Sequence, residues 1–189
     1  MELFEAIEKR RSVRAFRPDP VPQELLERLV RAAAQAPSSM NEQPWRFVVA
    51  SGQARQAVGE IMAQSTGYLE EYMKLVGHEV TDEVLRWYSE LGGAPTVVAC
   101  TMPRADDEFA RLNKLLAVGA AVQNLLLAAT EEGLGSCSIT FSYWVNDQIA
   151  EALGVPDEHM IVCMIVLGFP VSLDEQGPPK LTDVATYLD

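Results

Sequence analysis

The sequence predicts an α/β or α+β domain organised around one long apolar helix, and three observations carry that prediction. Four apolar runs have the length of strands: residues 45–50 (WRFVVA), 96–102 (TVVACTM), 135–140 (GSCSIT) and 160–167 (MIVCMIVL). They are interleaved with stretches of helical periodicity, the pattern of helices covering a sheet. Between the second and third runs lies LNKLLAVGAAVQNLLLAATEEG, residues 112–133, with no charge from Leu115 to Thr130. Leu112, Leu115, Leu116, Gly119, Val122, Leu126 and Ala129 follow helical spacing on one face, and Val118, Ala121, Leu125 and Ala128 make a second. A helix apolar nearly all round must be covered on every side. Its uncharged run is shorter than the ~18–20 residues of a membrane span, and Arg111, Lys114, Glu131 and Glu132 flank it. One small domain rarely surrounds such a helix, so a second subunit is expected over one face.

The remaining elements follow in order. Residues 2–11 form a short helix with Leu3, Phe4 and Ile7 facing inward, acids early and Lys9, Arg10 and Arg11 late, as the helix dipole prefers. Residues 12–17 alternate as an extended piece, and Pro18, Pro20 and Pro22 keep the chain extended into the next helix. That helix runs to about Ala36 with Leu25, Leu26, Leu29, Val30 and Ala33 on its core face. A polar, proline-bounded loop, residues 37–44, leads to the first strand. Residues 53–72 read as mostly helical with Gly67 as a break, and residues 69–91 as one or two amphipathic, aromatic surface helices. The excursion at 64–93 thus has the character of a lid on a single domain spanning 1–189. After the long helix Gly133 is its C-cap, residues 146–153 are helical, and the fourth strand ends at Gly168-Phe169-Pro170. The tail at 171–189 is irregular and expected to wrap a partner subunit.

Composition excludes several function classes. A net charge of −12 opposes binding to nucleic acid or to an anionic membrane surface. The opening MELFEAIEKRR has charges from its second residue and no apolar signal core, which points to the cytoplasm. Cys100, Cys137 and Cys163 are odd in number and sit in apolar runs, as reduced core thiols do. His78 and His159 are isolated, so no metal site is expected. No GxGxxG, Walker A or GxSxG motif is present.

Two polar groupings stand out. Arg10, Arg11, Ser12, Arg14 and Arg17 form a dense basic cluster in an acidic chain. It fits either a solvated helix end or an arginine-and-hydroxyl grip on a phosphate. Ser38, Ser39, Asn41 and Gln43 fit either helix capping or ligand contact.

RRSVRAF (10–16), APSSMNEQPW (36–45), VGAAVQNLLLAATEEGLGSC (118–137) and IVLGFP (165–170) together resemble the nitroreductase family in order and spacing. The resemblance implies an α+β fold: a three-layer α/β/α sandwich with a mixed central sheet, intertwined as a homodimer around the long central helix. It implies FMN as cofactor, NAD(P)H as electron donor and a small-molecule acceptor such as a nitroaromatic or quinone. By matching motif positions, Arg10 and Ser12 would hold the FMN phosphate and ribityl end, with Arg11 nearby and Lys180 in the tail as a further basic group. Arg14 would lie at the flavin N1 and O2 edge. Pro37, Ser38, Ser39 and Asn41 would come from the other subunit. Ser138, Ile139 and Thr140 would pass near N5, with Thr140 offering a hydroxyl that permits one-electron steps. Residues 71–78 (EYMKLVGH) are similar to the lid of the iodotyrosine deiodinase subgroup, whose substrate-contacting tyrosine aligns with Tyr72. The acidic and lysine partners of that subgroup are missing here. Tyr72, Trp87 and Tyr88 therefore fit either lid packing or an aromatic-lined substrate pocket. Reductive dehalogenation of a halophenol, and flavin binding without turnover, are the alternative functions.

Overall fold

Every residue of strand β2 (Thr96–Pro103) but the last is buried, as an unbroken apolar run requires of a strand covered on both faces. In the computed structural model, which describes residues 2–172, 184–186 and 188, β2 pairs with β1 (Arg46–Ser51) on one side and β4 (His159–Gly168) on the other. Strand β3 (Gly135–Ile139) completes the order β1-β2-β4-β3. The helices are α1 (Leu3–Lys9), α2 (Gln23–Ala33), α3 (Gly52–Gln64), α4 (Thr66–Leu75), α5 (Asp82–Glu90), α6 (Glu108–Glu131) and α7 (Asn146–Ala152).

The connections set the strand directions. β1 leaves the sheet at Ser51, opposite Thr96 where β2 begins. Helices α3, α4 and α5 therefore depart from and return to one end, which makes the pair antiparallel. β2 ends at Pro103, and the 24 residues of α6, about 36 Å of helix, carry the chain back to Gly135. Gly135 pairs with Gly168, beside the Leu167 that faces Thr96. So β2 and β3 run the same way, but a gap one strand wide separates them, and β4 fills it antiparallel to both. The expected mixed sheet is corrected accordingly: among the described residues all three ladders are antiparallel, and parallel pairing is confined to the isolated bridge Ser12–Ser136.

The three layers are those expected. Val98, Cys100, Met102, Cys163, Ile165 and Leu167 face α2 and α6, while Val97, Ala99, Ile161, Met164 and Val166 face the α3 and α7 side. A register shift between Cys100 and Thr101 puts Ile161 and Cys163 on opposite faces despite their even spacing. Asp107 caps α6 by accepting from the Ala110 amide at 2.7 Å. Gly133 (φ +72°) then turns the chain out of the helix.

α6 is long and apolar enough to cross a membrane by length and composition, but it lies across the sheet. Its second predicted face supplies Val118, Ala121 and Leu125 to the core, joined by Leu126 and Ala129. Each leucine so buried contributes about 1.5–3 kcal/mol. The amino-terminal half of the other face is open: Phe109 is 72 % exposed, Leu112 53 % and Leu116 64 %. Helix α1 corrects its expected orientation. Only Ala6 is buried, and Leu3, Phe4 and Ile7 point outward, because α1 lies beside α6 and meets it through the short Ala6 side.

The excursion breaks at Ser65 rather than at Gly67, which lies inside α4. The Ser65 hydroxyl donates to the Met62 carbonyl at 2.7 Å, ending α3. At the other end of the excursion Gly92 (φ +61°) passes so close to the body that an added Cβ would lie 2.5 Å from both the Arg14 carbonyl oxygen and Trp87 Nε1. Gly92→Ala is expected to cost about 2 kcal/mol, lowering the thermal midpoint by roughly 4–8 °C. Gly77→Ala has a similar φ (+78°) with open space around it and should cost only about 1 kcal/mol. Equal melting curves for the two variants would contradict this packing.

Candidate functional site

The polar groups singled out near residue 12 gather at the β3 edge of the sheet. Val13 donates its amide to the Ser136 carbonyl at 3.0 Å and buries its side chain over Gly135, where a Cβ would lie 2.7 Å from Val13 Cγ1. Strand alternation then turns Ser12 and Arg14 outward. The same rule acts on β3 and its end: Ile139 is buried, while Ser138 and Thr140 face solvent. Ile139 therefore offers this surface only backbone atoms. Arg14 Nη1 donates to the Ser12 carbonyl at 3.3 Å. Arg11 differs from the rest of the cluster: its guanidinium is turned back onto the Glu8 and Arg10 carbonyls at the end of α1.

Helix α5 roofs this edge. A cavity of about 390 Å³ is lined by Arg11, Ser12, Arg14, Glu83, Val84 and Trp87, among others. A second, of about 190 Å³, shares Arg14, Val84 and Trp87 with it and reaches Tyr88, Cys137 and Ser138. The Trp87 indole N–H donates to the Arg14 carbonyl at 2.6 Å. Trp87 thus anchors the roof, and its one polar group is already paired. Burial pushes the Tyr88 phenol above its ordinary value, the neighbouring Cys137 adds to this, and Arg14 opposes it. Burial likewise raises the Cys137 thiol, partly offset by Arg14, a hydrogen bond with Ser12, and Arg10.

Pro37, Ser38, Ser39 and Asn41 lie elsewhere. Their loop enters β1, the opposite edge strand. The Ser38 hydroxyl accepts from the Gln43 amide at 3.0 Å. Met40, Asn41 and Gln43 all have left-handed backbone (φ 52°, 56° and 49°), a concentration of strain in non-glycine residues that is frequent at functional loops. Glu42 pairs with Lys114, tying the loop to the exposed half of α6. A single chain therefore does not bring this loop to Ser12 and Arg14. Lys180 lies outside the described residues.

Tyr72, 44 % exposed on α4, meets two rings that the sequence reading did not single out as site residues, Phe141 and Trp144. Both belong to FSYW, the run directly after Thr140. That aromatic density at a strand end was the available signal.

Comparison with known proteins places these features in a family. The model of the nitroreductase family matches residues 7–169. The 5,6-dimethylbenzimidazole synthase of Rhodospirillum rubrum is 34% identical over 184 residues, covering 91% of this chain and 82% of that protein. The nitroreductase NfnB of Mycolicibacterium smegmatis is 30% identical over 190 residues, covering 82% and 78%. The crystal structure of a nitroreductase with bound FMN from Bacteroides fragilis matches at a TM-score of 0.78 with 25% identity, covering 100% of both chains.

The raised Cys137 and Tyr88 groups contribute to the alkaline behaviour, alongside Cys100, whose thiol is pushed well up by its hydrogen bond with Cys163 and by burial. Each stays protonated in the fold at a pH where the unfolded chain has begun to ionise, so the unfolded state binds fewer protons and stability falls as pH rises. The loss should begin near the ordinary thiol value of 9.0 and continue past the phenol value of 10.0. Thermal melts across this range should show a falling midpoint, with Cys137→Ala flattening the lower part. A variant slope equal to that of the parent would contradict the assignment.

Proposed function

This chain belongs to the nitroreductase family, and from that membership we propose that it is an FMN-dependent oxidoreductase using NAD(P)H to reduce electron-poor small molecules such as nitroaromatics and quinones. The supporting observation is the outward polar row at the β3 edge: Ser12, Arg14, Ser138 and Thr140 are presented together because Val13 and Ile139 are buried between them. The donors fit FMN. Arg10 and Ser12 would take the phosphate and ribityl end, Arg14 the N1 and O2 edge, and Ser138, the Ile139 backbone and Thr140 the N5 side. Arg11 would contribute charge rather than a free fork, since its guanidinium already serves two carbonyls. Lys180 would add a basic group from the tail.

The chemistry FMN supplies when bound is hydride acceptance at N5 and delivery of electrons to a second substrate in the same pocket, a ping-pong cycle. The chain's own contribution is orientation and charge. Arg14 would place a cation where negative charge develops on reduction, which is the way preorganised electrostatics favour one state over another. The hydroxyl of Thr140 would provide a donor beside N5, suited to one-electron steps. Tyr88, which lines the smaller cavity, would offer its ring to a flat acceptor, with Tyr72 nearby against Phe141 and Trp144, while Trp87 holds the roof in place.

Residues 37–41 would reach this site only from a second copy, so the proposal includes a homodimer. The exposed Phe109, Leu112 and Leu116 on α6 and the outward Leu3 and Phe4 on α1 support it, since apolar surface of this kind marks an interface. The tail at 171–189 would wrap the partner. Three buried free thiols agree with a reducing, cytoplasmic setting.

Anaerobic visible spectra of the purified protein, recorded before and after NADH and then NADPH, test the reading. Flavin bands that bleach with either donor are the expected result; no flavin bands even after added FMN would refute it. Arg14→Gln should lower the flavin midpoint potential by on the order of 30 mV, the two-electron equivalent of about 1.4 kcal/mol. An unchanged potential would remove Arg14 from the N1 edge.

A further inference from the structure

We propose that Phe141 and Trp144 are positioning residues that latch α4 and α5 to the turn following Thr140, so that the lid and the N5-facing strand end hold a single geometry. This rests on the flavin reading of Thr140.

The lid helices bury few side chains: α5 rests on α3, whose Arg55 donates to the Glu90 and Ala94 carbonyls at its end, and the edge of the lid nearest Thr140 is met by rings. α4 fully buries only Leu69, and α5 fully buries no side chain. Elements with so few buried apolar groups open easily unless tied at specific points. Phe141 supplies such a point for both helices at once. Its ring meets Tyr72 of α4 at 6.1 Å and 67°, and Tyr88 of α5 at 5.5 Å and 72°. These are the edge-to-face arrangements that aromatic quadrupoles favour. Trp144 stacks on Tyr68 at 6.1 Å and 15° and meets Tyr72 at 5.7 Å. It also lies against Phe141, with centroids 6.0 Å apart.

The rings sit on a tight turn. The Tyr143 amide donates to the Thr140 carbonyl at 3.1 Å, and the Val145 amide donates to the Ser142 carbonyl at 2.8 Å. Val145 and Ile149 are buried and fix the far side of the turn. Whatever moves Phe141 therefore acts directly on Thr140. Ser142 points to the same coupling. Its side chain is fully buried, and its hydroxyl has no hydrogen-bond partner among the described residues. An unpaired buried hydroxyl is costly, and a turn free to rotate would relieve that cost in water.

The second tie runs from the Trp87 indole to the Arg14 carbonyl. The lid is thus joined to both residues assigned to the reactive edge of the flavin, Thr140 through Phe141 and Arg14 through Trp87. Its seating sets the geometry in which hydride is received as well as the shape of the acceptor pocket.

The test uses the full-length protein, with and without FMN, and the variants Phe141→Ala, Phe141→Leu, Phe141→Tyr and Tyr68→Ala. The first readout is limited proteolysis in the exposed 76–81 segment between α4 and α5. Phe141→Ala and Phe141→Leu should be cut roughly 3- to 10-fold faster than the parent whether or not FMN is bound, and Tyr68→Ala roughly 2- to 3-fold faster. Phe141→Tyr, which keeps the ring, should restore the parental rate. The second readout is anaerobic flavin reduction by NAD(P)H together with acceptor KM. Phe141→Leu should slow the reduction and raise KM, each by about tenfold, as loosened orientation does. Parental proteolysis in both Phe141→Ala and Phe141→Leu overturns the latch. Faster proteolysis with unchanged reduction and KM overturns the positioning role and leaves lid packing. A parent protein that takes up no FMN shows a different signature: the flavin reading fails first and carries the positioning role with it. Tyr68→Ala, altered at a half-exposed surface ring, reads the latch even if the Phe141 variants fold poorly.

Discussion

A helix of 24 residues spans about 36 Å, slightly more than the roughly 34 Å of the longest strand beneath it, the ten-residue β4. That length is the constraint from which the arrangement of the chain follows. α6 returns the chain to the end of the sheet where β2 began, β4 must then enter between two strands running the same way, and β3 is left as an edge. β1 becomes the other edge because the three-helix excursion returns to the end it left. The residues proposed to touch the flavin are divided between these two edges, Ser12, Arg14, Ser138 and Thr140 on one and the 37–41 loop on the other.

Burial on one side presents the proposed site on the other. Val13 fits over Gly135 and Ile139 enters the core beneath α5 and α7, and the pleat leaves their neighbours pointing outward. The site therefore needs little structure of its own. Its roof is a different kind of object: two helices with few buried side chains of their own, held by ring contacts, by the Trp87 indole bond to the Arg14 backbone and by Arg55 of α3, which donates to the Glu90 and Ala94 carbonyls. A rigid floor under a roof tied at a few points would suit the proposed cycle, which admits two substrates in turn.

Much of this was legible in the residues. The four strands, the central helix and the helices of the 64–93 excursion lie close to where periodicity and turn signals put them, because apolar runs bounded by Gly and Pro leave the backbone few choices. The open half of α6 was foreshadowed by a helix with more apolar surface than one domain can cover. Other features depend on neighbours that a linear reading does not contain. Which face of α1 is buried depends on where α6 passes. Whether β2 and β3 touch depends on the strand that later fills the gap. That the Arg11 guanidinium turns back to Glu8 and Arg10 while Arg14 faces solvent depends on the path of the chain leaving α1. Phe141 and Trp144 are contacts between distant segments, so their sequence position signalled aromatic density without naming its partners.

The central claim is that a flavin site forms only where the β3 edge of one chain meets the β1-edge loop of another. Two variants can each be disabled on one side, Arg10→Ala with Arg14→Ala in one chain and Ser39→Ala with Asn41→Ala in the other. Purified alone, neither should retain FMN. In a mixed dimer isolated with two different affinity tags, one of the two sites carries all four changes and the other carries none. The mixed dimer is expected to hold one FMN per two chains and to recover half of the parental turnover. A mixed dimer as empty as its parents would contradict the shared site, and so would a monomeric parent protein that binds FMN.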